Sequence, residues 1–413
     1  MILCCFAQVS LSTSHTPAPS RRAGIILNKS SAIPMAAKAW WTLFETDPIS
    51  AVHKLTHMVL EMCGIQETLP LSVFQEDDGT DMDVDDYIKK LVAQYTSEKN
   101  AQLVPMLFGA NKQAKKNQNN FADFWSKWVS HAPESEVQFL HENSFCPWLY
   151  AMSTSQLTVL RHAAATVGVE IMIALVGKAN DNLEAMSNIE RLHNAAKGVQ
   201  KDRLQEQLDD KRKVRSDTEK ALESFFNSLV VHRHRDIESQ IRAKSIKAIG
   251  ELVVRYKHMF LDNKYLKYVG WALSDKKEDV RLTALGAIQN FYEEDLAQEL
   301  ELFTGRFKER VVQMRFDKDR QVQLLAIDTA KVMVQKSLFV DEEVETMLQM
   351  ITEEDPLVRG AVADFIQATF VEIDLEVAYE AHAKKTPSES PHPKLTVCHF
   401  SQSRVSDLAV RLS

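Results

Sequence analysis

Residues 264–282 read Lys-Tyr-Leu-Lys-Tyr-Val-Gly-Trp-Ala-Leu-Ser-Asp-Lys-Lys-Glu-Asp-Val-Arg-Leu, and the second half of this stretch decides the fold. It places Asp275 ahead of the dipeptide Val280-Arg281, and an apolar helical pattern follows. The same order recurs at intervals of about 40 residues, a spacing typical of repeats built from two helices. The equivalent dipeptides are Ile241-Arg242, Val280-Arg281, Val322-Gln323 and Val358-Arg359, and the aspartates before them are Asp236, Asp275, Asp317 and Asp355.

This repeat predicts an all-α fold. One helical hairpin cannot bury its apolar face alone, so such hairpins stack into an α-solenoid, here of HEAT repeats. Each aspartate is expected either to cap a helix or to pair with the arginine of a neighbouring repeat, which would form a ladder along the stack. Solenoids of this kind serve mostly as binding scaffolds.

The composition of the 413-residue chain excludes several classes of protein. The formal net charge is −8, so any contact with nucleic acid must come from a local basic patch. No run of about 18 apolar residues is apparent, so no membrane span is expected. We find no nucleophile or acid–base set that would indicate an enzyme, and no cofactor is expected. The scattered cysteines favour neither a zinc site nor a disulfide framework: Cys4, Cys5, Cys63, Cys146 and Cys398.

The sequence divides into five segments. Residues 1–35 are predicted to be a disordered N-terminal extension, with a targeting peptide as the alternative. Residues 36–180 form an N-terminal helical region, and residues 181–229 a long charged helical segment that projects or pairs. The repeats occupy residues 230–372, and residues 373–413 are predicted to be a disordered C-terminal tail.

Two polar motifs in the N-terminal region do not indicate metal sites. His53 and His57 have the spacing of a metal-binding pair but no third ligand, so we interpret them as surface or boundary residues. The acidic residues between Glu76 and Asp86 lack the spacing of a calcium loop and are interpreted as a solvated loop that runs into a helix. Residues 111–120 are interpreted as a polar linker.

Charge varies along the second half of the chain. Residues 201–223 carry seven basic and seven acidic side chains, which is typical of a solvated helix. Between residues 232 and 267, nine lysines and arginines face only four acids, so this patch is a candidate for contact with DNA phosphates. The alternative is a solvated repeat face. The candidate DNA-binding residues are Arg233, Arg235, Arg242, Lys244, Lys247, Arg255, Lys257 and Lys264.

Aromatic side chains follow this patch. Tyr265, Tyr268 and Trp271 lie close to one face of a helix, with Lys267 between them. From the residues alone, they are either an ordinary core stripe or a surface that grips a ligand.

These stretches together resemble a known family. The run from Val231-His-Arg-His-Arg-Asp236 through Tyr265-Leu-Lys-Tyr-Val-Gly-Trp271 to Val280-Arg-Leu282 resembles the stromalin conservative domain of SA-type (stromalin) cohesin subunits. Leu302-Phe-Thr-Gly-Arg-Phe-Lys-Glu-Arg310 continues the likeness, and Leu160-Arg-His162 and its surroundings resemble the helical region upstream. The likeness covers about residues 40–372, the N-terminal third of a typical member, although Ala163 and Ala165 stand where the family has threonines.

The resemblance implies a non-catalytic nuclear and chromosomal scaffold that acts in sister chromatid cohesion. Such subunits bind the kleisin subunit of cohesin and double-stranded DNA, and are linked to the SMC subunits indirectly. They also take up short regulator peptides of the Phe/Tyr-x-Phe type. The peptide surface would fall on Tyr268, Trp271, Phe303, Arg306 and Phe307, with Lys267 and Arg310 near it. The competing hypothesis is a generic HEAT-repeat adaptor for proteins, without a role on DNA.

Overall fold

The computed structural model describes residues 30–65, 69–74, 84–97, 112–133 and 145–372. The backbone in these ranges is organised into helices, and none of it forms a strand. The all-α prediction is therefore confirmed.

The chain divides into two compact units between Met259 and Phe260. This division does not coincide with the predicted start of the repeats at residue 230, because the first repeat packs within the N-terminal unit. The helices of the first unit are α1 (Ile33–Thr46), α2 (Pro48–Met62), α3 (Val84–Ser97), α4 (Lys112–Ser130), α5 (Phe145–Thr154), α6 (Thr158–Ala195), α7 (Val199–Phe225) and α8 (Ser239–Arg255).

Several predicted segments lie partly or wholly outside the described residues. Of the predicted extension 1–35, residues 30–35 are described, and they form a 3-10 turn, Ser30–Ala32, and the start of α1. The predicted linker is wrong for residues 112–120, which form the first turns of α4 because Ala114, Asn117 and Asn120 pack inward. The tail 373–413 and most of the acidic segment are outside the described ranges.

Helix α6 is the central helix of the first unit. It packs against α4, α5, α7 and α8, and most of its residues from Leu160 to Ala179 are buried. Contrary to the sequence-based expectation, α6 contains an 18-residue window that is long and apolar enough to span a membrane. However, 72% of that window is buried against other helices, which is typical of a core helix in a protein of this size.

Aromatic side chains connect the first helices to α4. The indole of Trp41 donates a 2.7 Å hydrogen bond to the carbonyl of Trp128 and stacks on its ring. Trp40 donates to the carbonyl of Ala51, 2.8 Å away. Because the indole N–H groups of Trp40 and Trp41 each have a backbone acceptor, these two side chains are buried without losing a hydrogen bond.

The histidine pair lies at the boundary of the core, in agreement with the prediction, and has a structural role there. His53 Nε2 lies 2.8 Å from the carbonyl oxygen of Leu69, and the Leu69 N–H donates to His57 Nε2 at 2.9 Å. The two half-buried rings thus clamp both backbone groups of one residue. Burial, with a smaller contribution from the neighbouring His53, lowers the pKa of His57 to about 4, so His57 stays neutral and can accept this bond.

Helices α6 and α7 form a long pair. The predicted boundary between residues 180 and 181 lies inside α6, because this helix runs without a break from Thr158 to Ala195. Gly198 lies in the turn between the two helices and precedes α7, with a φ of 59°, a conformation that favours glycine. None of residues 187–207 is buried, so the end of the pair is solvated, as its balanced charge predicts.

A buried ion pair joins α6 to the loop before α8. Arg161 Nε donates to Asp236 Oδ2 at 2.8 Å, and Arg233 also contacts Asp236 at 2.5 Å. Asp236 accepts the backbone N–H of Glu238 as well, at 3.0 Å. Burial alone would raise the pKa of Asp236, but the bonds from Arg161 and Glu238 outweigh it, and the pKa lies below its usual value.

The described part of the second unit, residues 260–372, is a stack of three helical hairpins. Helices α10, α12 and α14 pack successively on one another, and α9 packs against α11. The helices are α9 (Asn263–Ala272), α10 (Glu278–Glu293), α11 (Glu301–Gln313), α12 (Arg320–Gln335), α13 (Asp341–Leu348) and α14 (Pro356–Ile366).

The aspartates of this unit both pair and cap, so the two predicted roles coexist. Asp317 accepts two bonds from Arg281 of the preceding repeat, at 2.8 and 2.5 Å, and also the backbone N–H of Asp319. Asp355 caps α14 through Leu357 N–H. The guanidinium of Arg320 pairs with the carboxylate of Asp355 at 2.7 Å. In this repeat the motif position of the arginine is occupied by Gln323, so the ion pair comes from Arg320 instead.

We predict that Asp236→Ala lowers the free energy of unfolding by about 3–5 kcal/mol, because it leaves the buried guanidinium of Arg161 and the half-buried guanidinium of Arg233 without this counter-charge. Urea unfolding followed by circular dichroism measures this loss. Arg320→Ala is the matched control, since it removes an exposed ion pair and is expected to cost less than about 1 kcal/mol. Equal losses for the two variants would contradict the ladder as a source of stability.

Candidate functional site

Helix α9 carries several aromatic and basic side chains, of which Lys264 and Trp271 are exposed to solvent. Asp262 caps the helix by accepting the backbone N–H of Lys264 at 2.8 Å, which fixes the register of the turns that follow. Tyr265 and Tyr268 are buried, whereas Trp271 is 42% exposed. The alternatives left open by the sequence therefore both apply: the tyrosines belong to the core, and the tryptophan faces solvent.

Helix α11 supplies the second half of the surface. Phe303 is buried and its ring centre lies 4.9 Å from that of Phe307, which is half-buried. Arg306 is exposed, and its guanidinium lies 5.4 Å from the centre of the Phe307 ring. The exposed cation therefore stands beside an aromatic face that is only partly covered.

A glycine brings the two helices together. A Cβ atom built on Gly270 would lie only 2.3 Å from two atoms of the Phe307 ring, so the ring rests directly on the backbone of α9. Arg310 fixes the same seam by donating to the carbonyl of Leu273, at 3.1 and 3.3 Å. Trp271 follows Gly270 and Arg306 precedes Phe307 in the sequence, and the line of contact between α9 and α11 is here called the seam.

Cations flank the aromatic rings of α9. Lys267 Nζ lies 5.0 Å from the ring centre of Tyr268 and 5.7 Å from that of Trp271. The rings of Tyr268 and Trp271 meet edge to face at 5.6 Å, which holds the indole in place. The surface can thus offer an aromatic contact to an apolar ligand side chain, with charge-assisted hydrogen bonds from Lys267 and Arg306 at its edge.

The structure sorts the predicted DNA-binding residues into two groups. Three are engaged inside the protein: Arg233 contacts Asp236, Arg242 donates to the carbonyls of Asp236 and Ile237 at 2.8 and 3.0 Å, and Lys244 donates to the Thr166 hydroxyl at 2.7 Å. Their orientation is set by these partners rather than by solvent.

The exposed members of the patch are Arg235, Lys247, Arg255 and Lys257 in the first unit and Lys264 in the second. Glu251 lies 3.8 Å from both Lys247 and Arg255, so part of their charge is compensated. Lys264 belongs to the second unit, where its ammonium lies 4.7 Å from the Tyr265 ring. The exposed positive charge is therefore smaller than the count along the sequence indicates.

Lys244 illustrates how burial changes a predicted role. Burial lowers the pKa of Lys244, and the nearby carboxylate of Glu170 opposes this shift. Burial likewise raises the pKa of Glu170, which Lys244 opposes in turn. The two groups stabilise each other between α6 and α8, where they are poorly placed to contact a phosphate.

One repeat position escaped the sequence analysis. Arg161 Nη1 donates to the carbonyls of Ser155 and Gln156, at 3.0 and 2.9 Å. Arg359 holds the carbonyls of Glu353 and Glu354 in the same way, at 2.7 and 2.8 Å. The sequence signal for this repeat is the dipeptide Leu160-Arg161, which follows Ser155 at the distance that separates Val280-Arg281 from Asp275. It was missed because a serine stands in place of the aspartate. A repeat therefore begins at α5 and α6, and the long end of the α6–α7 pair is an extension of it.

Comparison with known families agrees with this arrangement. Residues 106–214 match the STAG domain, and residues 235–308 match the stromalin conservative domain. The second match contains α9 and the part of α11 that carries Phe303, Arg306 and Phe307.

Curated relatives are cohesin proteins of plants, animals and fungi. The chain is 26% identical to sister-chromatid cohesion protein 3 of Arabidopsis thaliana over 350 residues, which cover 83% of this chain and 31% of the relative. It is 27% identical to cohesin subunit SA-1 of Xenopus laevis over 398 residues, 92% of this chain and 31% of the relative. The chain thus spans about a third of the length of these relatives.

Solved structures show the same fold. Cohesin subunit Scc3 from Z. rouxii (residues 88–1035) superposes with a TM-score of 0.73 at 17% sequence identity, over 92% of this chain and 49% of that one. Fold and domain matches together define a helical-repeat protein with a STAG domain followed by a stromalin conservative domain. The chain is thus similar, through both domain matches and these relatives, to stromalin-type cohesin subunits.

We predict that Gly270→Ala displaces the Phe307 ring and destabilises the second unit by about 1–3 kcal/mol, because the added methyl group has no space. Thermal unfolding measures the loss. Gly305→Ala is the matched control: this glycine lies in α11 itself, nothing lies within 4 Å of its added Cβ, and a gain of up to about 1 kcal/mol is expected from helix propensity. Equal effects of the two substitutions would contradict the close contact at Gly270.

Proposed function

We propose that the chain is a non-catalytic scaffold subunit of cohesin that acts in sister chromatid cohesion and chromatin organisation in the nucleus. It would bind the kleisin subunit directly and be linked to the SMC subunits through it. The observation that carries this proposal is the match to the stromalin conservative domain over residues 235–308, which includes the exposed Trp271 and its partner helix. A stack of helical hairpins supports a binding role, since its extended surfaces suit protein partners.

The seam between α9 and α11 is the proposed site for regulator peptides of the Phe/Tyr-x-Phe type. An aromatic side chain of such a peptide would pack on Trp271 and on the uncovered face of Phe307. Arg306 and Lys267 would bond peptide carbonyl or carboxylate oxygens at the edge of the seam. Tyr268 and Phe303 would support the exposed rings from the core, and Arg310 would hold the helices in position.

Double-stranded DNA is the second proposed ligand, contacted by the exposed residues Arg235, Lys247, Arg255 and Lys257. Four exposed cations provide a small electrostatic footprint, so the contact would be weak, independent of base sequence and sensitive to salt. The carboxylate of Glu251 between Lys247 and Arg255 favours the alternative, a HEAT-repeat protein adaptor without a role on DNA.

We predict that Trp271→Ala and Arg306→Glu each weaken the binding of a labelled peptide with a central Phe-x-Phe sequence by at least about thirty-fold, or ~2 kcal/mol. The first removes the aromatic contact, and the second replaces the cation at the edge of the seam by an anion. Isothermal calorimetry measures the affinity. Leu357→Ala is the control, since Leu357 is an exposed apolar residue of the same unit, on α14 rather than at the seam. Peptide affinity that is unchanged in both seam variants would contradict the site.

The scaffold role is tested separately by capture of the recombinant kleisin subunit on the purified chain. Capture is expected for the parent chain and for Trp271→Ala alike. Loss of peptide binding with retained kleisin capture would separate the two functions, and failure of the parent to capture kleisin would contradict the scaffold proposal itself.

For DNA, we predict that Lys247→Glu combined with Lys257→Glu lowers affinity for a duplex and reduces the slope of log K against log salt by about two, because two phosphate contacts are lost. Fluorescence anisotropy over a salt series measures both. Lys38→Glu with Lys115→Glu is the control, with the same charge change at exposed positions of the first unit. Lys244→Met should leave the slope unchanged. Equal slopes for the patch and control variants would favour the adaptor without a DNA role.

A further inference from the structure

Arg315 is a buried guanidinium that forms no ion pair with a carboxylate of the described residues. It lies in the 3-10 turn Met314–Phe316 that follows α11 and is 8% exposed. Its Nη1 donates to the carbonyl of Val312 at 2.8 Å, but its Nε is buried and has no hydrogen-bond acceptor within the described part of the chain. Burial lowers the pKa of Arg315.

Two other arginines of similar burial show what is missing. Arg161 is 7% exposed and Arg281 is 9% exposed, and the Nε of each donates to an aspartate at 2.8 Å. In both, the Nε edge meets a carboxylate while Nη1 holds a backbone carbonyl of the turn before the helix. Arg315 has the carbonyl bond at Nη1 but no ion pair within the described residues. At the C-terminus of α11, the bond from Nη1 to the Val312 carbonyl is the structural role of this side chain. The Nε edge, which in other arginines forms paired bonds to a carboxylate, has no acceptor for its Nε among the described residues.

An exposed aromatic residue lies directly against this guanidinium. The centre of the Phe316 ring is 4.2 Å from the Arg315 guanidinium carbon, and Phe316 is 59% exposed. The same residue borders a cleft of about 520 Å³ between the turn after α9 and the turn after α11. Phe316 therefore contacts the guanidinium of Arg315 and also borders a space that can receive a peptide chain, whereas Arg315 itself does not line that space.

The charged side chains that line the cleft make some anionic ligands more suitable than others. Its lining residues include four basic and four acidic side chains, Lys318 and Glu278 among them. A nucleic-acid backbone would meet as many carboxylates as cations, which disfavours it. A single carboxylate next to an apolar side chain has no such conflict, since one buried arginine can take it while the rest of the chain lies over Phe316.

We propose that Arg315 and Phe316 form a docking point for an acidic peptide of a partner protein, distinct from the seam at Trp271. A glutamate or aspartate of the peptide would accept bonds from the Nε edge of Arg315 after the Phe316 ring turns aside. The neighbouring apolar residue would pack on that ring. The carboxylate supplied by the partner would complete the ion pair that Arg161 and Arg281 form within the chain.

The test is a selection of displayed random peptides. The bait is the full chain carrying Trp271→Ala, so that the seam is disabled, and the counter-selection uses the same chain with Arg315→Met added. We expect the enriched peptides to carry an acidic residue next to an apolar one. Replacing that glutamate by glutamine in a synthetic peptide should weaken binding about tenfold or more in fluorescence anisotropy. Phe316→Ala should weaken it too, whereas Lys318→Met, which removes an exposed cation of the cleft, should change it less than about twofold.

Thermal unfolding distinguishes a binding role from a structural one. Arg315→Met removes the bond from Nη1 to the Val312 carbonyl, but it also removes a buried Nε that has no acceptor among the described residues. The two effects oppose each other, so its melting temperature should be close to that of the parent while peptide binding is lost. Arg315→Lys should also lose binding, because it keeps the charge but not the paired donors. The proposal is overturned if Arg315→Met melts at a lower temperature and selects the same peptides. It is also overturned if no acidic peptide is enriched, or if a DNA duplex rather than a peptide binds in an Arg315-dependent way.

Discussion

The buried pair of an arginine and an aspartate from successive repeats is the interaction on which the fold depends. Arg161 with Asp236 in the first unit, and Arg281 with Asp317 in the second, each join one hairpin to the next. In both pairs the arginine also holds a carbonyl of its own turn, and the aspartate also accepts a backbone N–H two residues on. One side-chain pair therefore fixes two turns and the contact between two repeats. Apolar packing supplies most of the stability of such a stack, but it is not directional, and the ion pair defines the register in which the helices meet.

The seam between α9 and α11 uses this rigid frame. The ion pair at Asp317 holds the hairpins, and α11 can then bring the Phe307 ring onto the backbone of Gly270. This contact is so close that it leaves no space for an added methyl group. The consequence is an aromatic surface that is already in place before a ligand arrives. A preformed surface loses little conformational entropy on binding, which suits recognition of short flexible peptides whose own ordering is costly. Tyr268 and Phe303 are core residues beneath this surface, and their rings contact those of Trp271 and Phe307 and hold them in place.

The repeat and the all-α class could be predicted from sequence because both rest on local patterns: an aspartate, an apolar-arginine dipeptide and helical spacing. The parts that failed depend on contacts between distant residues. Nothing near Lys244 in sequence shows that Thr166, 78 residues earlier, takes its ammonium, nor does the sequence near Asp236 show that Arg161 lies 75 residues upstream. Such pairings decide which cations reach solvent, so a count of charges overestimated the basic patch. Likewise, helical spacing placed Tyr268 and Trp271 near one face, but only the packing against neighbouring helices shows that one is covered and the other is not.

Cations in this chain fall into three physical situations, and the distinction bears on function. Arginines paired with aspartates inside the stack hold repeats together and are not available to a partner. Exposed cations such as Lys257 are well solvated, so they attract a polyanion only weakly and in a way that salt suppresses. Arg315 belongs to neither group, since it carries the desolvation of the first without its carboxylate. A fold that already provides carboxylates for Arg161 and Arg281 has the means to pair such a group internally. Among the described residues none pairs with Arg315, which lies under an exposed aromatic ring, and this is better explained by a partner that brings the missing charge than by a need of the stack itself.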